Sequence, residues 1–334
     1  MYFLIKESKL PKGGPRFSSA RCSILSVFVF FLFGLIAPVA QLIDGPSVTA
    51  RLAKESLLLG IHGRAGMAIA VGERGHILLT NNQGKNWIQK QSPTRRTLNS
   101  VYLLDQKTIW IVGHQSTVLR SKDSGESWTK IKVLDDPETS FLDLLFVDSS
   151  RGFIVGSYGK LFSTIDGGNT WIENKQEDDP HFYQITSAAN GFLWLIGEFG
   201  TVWKSNNQGK SWKSLDIEYE GTLFGAVPLI KSDSIIVHGL QGNIFRFKNG
   251  SIWEKIDSPT NAILHRGLQL KDGRVVIASG AGELLLGNGE GRLFQVEPLL
   301  EKAAVPTDFW QSEDGSLLIT TDRGVFRITL DELN

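Results

Sequence analysis

The chain has 334 residues, 41% of them hydrophobic, enough for one large or two ordinary domains with a sizeable core. Its 35 basic and 35 acidic residues sum to zero formal charge, which argues against bulk attraction to nucleic acid. One cysteine, Cys22, excludes an internal disulfide, while 35 glycines and nine tryptophans point to many tight turns.

The first 21 residues carry Lys6, Lys9, Lys12, Arg16 and Arg21 against Glu7 alone. Ser23 to Ile43 then runs 21 residues without a charge, close to the roughly 20 that cross a bilayer as a helix. A basic flank followed by this segment predicts a cytoplasmic region over 1–22 and a signal peptide or signal anchor over 23–43. Everything after Ile43 is then expected outside the cytoplasm, periplasmic or held at the inner membrane. "PVA" before Gln41 is a poor small-x-small cleavage site, so cleavage and anchoring both stay open.

From residue 47 onward the chain is periodic. Trp87, Trp128, Trp171, Trp212 and Trp253 are spaced by 41, 43, 41 and 41 residues, and one further step of 41 reaches Phe294. A glycine precedes each aromatic by three: Gly84, Gly125, Gly168, Gly209, Gly250 and Gly291. A second marker lies about 15 residues earlier, in "VGERG", "VGHQS", "VGSYG", "IGEFG", "HGLQG" and "SGAG", with a worn copy "TDRG" at Thr321–Gly324. Each unit holds four short β-branched and aromatic runs, in unit two "LNSVYLLD", "TIWIVG", "TVLRSK" and "SWTKI". Four antiparallel strands per unit and seven units predict an all-β, seven-bladed propeller over 47–330. The strands of a blade are termed a to d from the centre outward. The last unit lacks strand d, and a step of 41 back from Trp87 places Ser47–Ala53 as the strand that closes the ring.

The c–d motif is expected to be scaffolding. Asn82, Asp123, Asp166 and Asn207 can cap the turn with their side chains. Gly84, Gly125, Gly168 and Gly209 supply a positive φ. Trp87, Trp128, Trp171 and Trp212 bury apolar surface between blades. Calcium ligation is rejected, because loops such as "NNQGK" offer too few carboxylates for six to eight oxygen ligands.

"SKDSGESW", "TIDGGNTW" and "SNNQGKSW" match the Asp-box, or bacterial neuraminidase repeat. Joined to "IWIVGHQS" and "LWLIGEFG", the spacing resembles the photosystem II stability and assembly factor propellers, within the sialidase-like superfamily. The likeness covers Ser47 to Leu330 and is firmest over Gly72 to Trp212; "FKNGSIW" and "NGEGRLF" depart from it. It implies a non-catalytic protein-binding or assembly factor for a membrane-protein complex. In that family an arginine-rich patch is implicated in gripping a membrane protein's exported segment.

The alternative is a carbohydrate-directed propeller, lectin-like or a diverged glycosidase. Sialidases need an arginine triad, a tyrosine with its acid partner and an aspartic acid; the nearest fragment, "FRIT" at Phe326–Thr329, lies at the wrong end. Six histidines lack paired metal spacing, and no helix follows the glycine pairs to make a phosphate loop. No cofactor or catalytic residue is therefore expected.

Function is expected on the face of the b–c turns and d–a connections, which vary between blades. Arg74, Arg95, Arg96, Arg266 and Arg323 would form its basic half. Asp135, Asp136, Glu177, Asp178, Asp179, Glu218 and Glu220 would form an acidic half, and Tyr158 and Phe199 are candidate anchors with His181, Phe182, Tyr183 and Tyr219. The expected partner is a protein, a membrane protein or its exported segment, bound by a monomer close to the membrane through 23–43.

Overall fold

A computed structural model describes residues 44–334 apart from 177, 231–233, 249, 251, 299–303 and 334. The segments expected at 1–22 and 23–43 lie outside the described residues. Seven inner strands line the centre: Leu58–Arg64, Leu98–Leu103, Phe141–Phe146, Phe182–Ser187, Leu223–Pro228, Leu264–Gln269 and Pro306–Gln311. Each begins a separate antiparallel sheet in which chain order and spatial order coincide. Consecutive inner strands are neighbours, and the seventh returns to the first, so the sheets form a closed ring. This is a seven-bladed propeller.

The hydrophobic pattern explains the stacking. Second strands such as Met67–Gly72, Ile109–Gly113 and Leu193–Gly197 are buried at every residue, because each is covered by the blades on both sides. Outer strands such as Thr129–Lys130 are short and exposed. Seven apolar clusters result, each shared between blades; one joins Ile69 and Leu79 of blade one to Val101, Ile111 and Leu119 of blade two.

The Asp-box side chains act within the turn and on the blade before it. The Ser121 hydroxyl accepts from Gly125 N–H at 2.9 Å and donates to Asp123 Oδ1 at 2.8 Å. Asp123 Oδ1 also accepts from Ser127 N–H at 2.9 Å. Thr80–Asn82–Gly84, Thr164–Asp166–Gly168 and Ser205–Asn207–Gly209 repeat this bonding. The bonds from Ser127 and Thr170 hold the carboxyls of Asp123 and Asp166 down at about 2. At Gly168, φ is +80°, and a Cβ would sit 2.3 Å from the Trp110 ring of blade two. Trp128 donates its indole N–H to Gly125 O at 3.1 Å, whereas Trp171 and Trp212 find no acceptor among the described residues. All three are half-buried, and the deepest indoles are Trp110 and Trp194, on second strands.

Closure differs from the expectation. Blade seven has three strands, Pro306–Gln311, Leu317–Thr321 and Gly324–Ile328, and Ser47–Ala53 is not a strand. Its polar groups are engaged by blade one instead. Ser47 N–H donates to Ser92 O at 2.8 Å, Ala50 N–H to Gln89 Oε1 at 2.8 Å, and Gln89 Nε2 to Val48 O at 3.0 Å. The segment then turns through a short 3-10 stretch, Ala53–Glu55. Lys54 O packs on Gly324 as Thr94 O packs on Gly75 in the next junction. The N-terminal segment thus takes the place of a d–a connection rather than of strand d. The inner strands complete the seal, with Thr307 Oγ1 donating to Leu58 O at 2.7 Å and Ile61 N–H to Asp308 Oδ2 at 3.1 Å.

Candidate partner-binding face

The a–b and c–d turns share one face, where Ser124 N–H donates to Lys107 O and Gly167 N–H to Ser150 O. The b–c turns occupy the other. Five are built alike: Arg74–Gly75, Gln115–Ser116, Tyr158–Gly159, Phe199–Gly200 and Gln241–Gly242 each have two successive positive φ values. Two such residues define a type I′ turn, which suits the strand twist and favours Asn-Gly. Here the first position holds Arg, Gln, Tyr, Phe and Gln instead. A left-handed residue with a Cβ costs about 1–2 kcal/mol, so large side chains at these tips are displayed against a local backbone preference. Tyr158 and Phe199 are 51% and 75% exposed despite their apolar rings. Arg74 and, in blade seven, Arg323 are exposed at corresponding turns.

The tips are fixed from beneath. Gly200 N–H donates to Gly221 O at 2.9 Å, and a Cβ on Gly200 would come within 1.7 Å of Tyr219 O. The turn bearing Phe199 is therefore locked to the connection into blade five.

Nearer the axis, each inner strand shows a register shift at its b–c end. Tyr183, Phe224 and His265 lie in three of these irregularities and remain half-buried. Tyr158, His181, Tyr183, Phe224 and His265 form a run of rings across blades three to six, with successive centroids 4.9, 6.4, 4.8 and 6.2 Å apart. Glu198 braces it, accepting from His181 N–H at 2.9 Å. Burial, reinforced by Glu198, pushes the Tyr183 phenol up to about 12.

Arg266 is not on this face. Its side chain lies in the central cavity and donates to Asp143 Oδ2 at 3.0 Å, with Asp308 also nearby. Asp143 further accepts from Ser100 Oγ at 2.7 Å and Ile185 N–H at 3.0 Å. Desolvation opposes the Arg266 charge, but Asp143 and Asp308 outweigh it and raise its pKa. Burial drives the Asp308 carboxyl up to about 6 against the pull of Arg266. Its position in the repeat accounts for this: Arg266 is the third residue of its inner strand, as Ser100, Asp143, Gln184 and Asp308 are of theirs, and all five line the central cavity. The cavity, about 350 Å³, runs from this cluster toward the a–b turns and is walled by His62, Tyr102 and Trp310.

The other predicted cations are held to different degrees, and Arg74 lies 3.8 Å from the Glu73 carboxylate. Arg95 is exposed, with its Nε donating to Pro46 O at 2.9 Å. Arg96 is half-buried, donates to Gln115 O at 2.9 Å and lies 3.5 Å from Asp44, which also binds Lys130 at 2.6 Å. On the acidic side, Asp135 pairs with Lys132 at 2.7 Å, and Asp136 accepts from Thr139 Oγ1 at 2.6 Å. Glu177 lies outside the described residues. The polarity of the face therefore rests on Arg74, Arg95 and Arg323 against Asp178, Asp179, Glu218 and Glu220.

The family model "Photosynthesis system II assembly factor YCF48" matches residues 51–137 and 132–256. The chain belongs to this family. A curated relative, the photosystem II assembly protein Ycf48 of Thermosynechococcus vestitus, is 27% identical over 253 residues, covering 71% of this chain and 73% of the relative. Among solved structures, YCF48 from Cyanidioschyzon merolae aligns with a TM-score of 0.67 at 17% identity, over 86% of this chain and 99% of its own. A structure of YCF48 bound to D1 peptide gives 0.70 at 17% identity, over 86% and 97%. A streptogramin B lyase gives 0.73 at 13% identity, over 84% and 95%; at such identities structural likeness speaks for the fold alone. Within the YCF48 family frame, the left-handed geometry of the tips, Phe224 and His265 of the aromatic run, and the Asp143 and Asp308 partners of Arg266 are the features that reading the sequence missed. The recurring x-Gly of "VGERG", "VGSYG", "IGEFG" and "HGLQG" was the available signal for the tips.

Proposed function

We propose that the protein is a non-catalytic, exported propeller that acts as an assembly or stability factor by holding a segment of a membrane protein on its b–c face. The observation that carries this reading is the family match over residues 51–256, and the relative bound to D1 peptide supports a polypeptide ligand. The exposed, rigidly backed tips at Arg74, Tyr158, Phe199 and Arg323 support the choice of face. Export rests on the charge asymmetry around residues 23–43. The glycosidase alternative finds less support: among the described residues one arginine, Arg266, lines the central cavity, and it is already bonded to Asp143.

The test is affinity capture from membranes of the native host with full-length protein. Arg74→Glu, Arg95→Glu and Arg323→Glu combined should reduce recovery of a membrane protein at least tenfold. Lys122→Glu with Lys210→Glu, exposed on the Asp-box face, should leave it unchanged. Equal recovery by both variants would remove the b–c face from the account.

A further inference from the structure

A cleft of about 780 Å³ opens on blade four, between the connections that enter and leave it and away from the arginine-bearing tips. Its apolar walls include Phe199, Trp203 and Tyr219; its rim carries Asp178, Asp179, Asp216, Glu218 and Glu220, and among the described residues no lysine, arginine or histidine lines it. Among the described residues none of these five acids has an ion-pair partner, in contrast to Asp44, Asp135 and Asp148. The walls are held in place before any ligand arrives. Tyr219 packs on Phe245 with centroids 5.1 Å apart, and Phe199 stands on the turn locked to the Tyr219 connection.

We infer that this cleft takes a lysine or arginine side chain from a partner polypeptide. An aliphatic stem would lie against Phe199 and Tyr219 while its cation meets their ring faces and the acidic rim; both attractions strengthen as water leaves the cleft. A neutral apolar segment would leave the acids desolvated and unpaired, and an acidic one would be repelled. The inference deepens the b–c face reading. The partner's segment carries acidic groups for the sector of Arg74, Arg95 and Arg323 and a basic residue for the cleft, which fixes the direction in which it lies across the ring.

The test uses full-length protein and three fluorescein-labelled probes, acetyl-(Gly-Arg)4-amide, acetyl-(Gly-Glu)4-amide and acetyl-(Gly-Ser)4-amide, read by anisotropy at low salt and at 150 mM. The arginine probe should bind at least tenfold more tightly than the serine probe. The combined variant Asp178→Asn, Asp179→Asn, Glu218→Gln, Glu220→Gln should lose at least tenfold of that affinity, and Phe199→Ser, at a 75% exposed position that cannot disturb the core, at least threefold. Neutralising four remote exposed acids, Glu55, Glu290, Glu313 and Asp331, should change little. Equal loss from the remote set, or full binding by Phe199→Ser, would mean attraction to overall charge and overturn the cleft. Arg74→Glu with Arg323→Glu should not weaken the arginine probe, so the cleft and the basic sector can fail separately.

Discussion

The substitution Gly168→Ala isolates what the repeated turn contributes to the ring. Gly168 has φ +80°, so an alanine there meets the left-handed backbone penalty, about 1–2 kcal/mol. Its Cβ would also lie 2.3 Å from Cζ2 and 2.4 Å from Cη2 of Trp110, a fully buried indole with no room to retreat. Overpacking of this kind adds about 1–3 kcal/mol, for a total of about 2–5 kcal/mol. Gly66 provides the reference, since its φ is +78° and a Cβ there meets nothing within 4 Å. Gly66→Ala should therefore lose only the backbone part. Urea unfolding followed by tryptophan fluorescence, with shared m-values, should place Gly168→Ala below Gly66→Ala by about 1–3 kcal/mol. Equal losses would refute the claim that each c–d turn is seated on the preceding blade.

Trp110→Ala should destabilise by about 3–5 kcal/mol in the same assay, as a large-to-small change at a fully buried site. Trp128→Ala, half-buried, should cost less; the reverse order would contradict the placement of the inter-blade core on the second strands. Burial lowers His62 to about 4, with Arg64 contributing, and lowers His238 to about 3. Both take up protons near 6.5 when unfolded, so their contribution to stability falls as pH drops from 6.5 toward 4, by about 1.4 kcal/mol per pH unit each. Asp308 acts oppositely: its folded carboxyl is protonated near 6 and its unfolded one near 3.8, so it adds stability on acidification across that window. Asp308→Asn should therefore steepen the acid loss between pH 6 and 4 by about 1.4 kcal/mol per pH unit. An unchanged slope in urea titrations at several pH values would show that this carboxyl does not titrate there. Asp44→Ala should cost about 1–3 kcal/mol by releasing Thr94, Arg95 N–H and Lys130 together; a neutral result would mean the N-terminal segment does not secure the ring.

Most of the architecture was legible because it repeats. Gly125, Trp128 and their copies at steps of 41 or 43 residues count the blades, and "TIWIVG" and "LWLIGEFG" mark strands that are buried on both sides. The first failure lies where repetition stops. Ser47–Ala53 falls in the right phase for strand d of blade seven, yet phase says nothing about which edge its amides will meet, and Gln89 and Ser92 of blade one claim them. Arg266 was misplaced although the repeat carries the answer: it stands third in its inner strand, where Ser100, Asp143, Gln184 and Asp308 stand in theirs, and that position faces the centre. Arg96 was placed in the exposed basic half without its counter-ion, because Asp44 is 52 residues away in sequence. Tyr158 and Phe199 were found through their turns, but the left-handed φ that displays them requires coordinates.

Site-specific photocrosslinking tests the central claim most directly. A photoreactive amino acid is placed in the full-length protein at Phe199 or Arg323 on the b–c face and at Lys122 or Lys210 on the Asp-box face, then irradiated in native membranes. The account predicts adducts with a membrane protein from positions 199 and 323, mapping to one exported segment, and none from 122 and 210. Adducts confined to positions 122 and 210 would place the partner on the face assigned to scaffolding and contradict it.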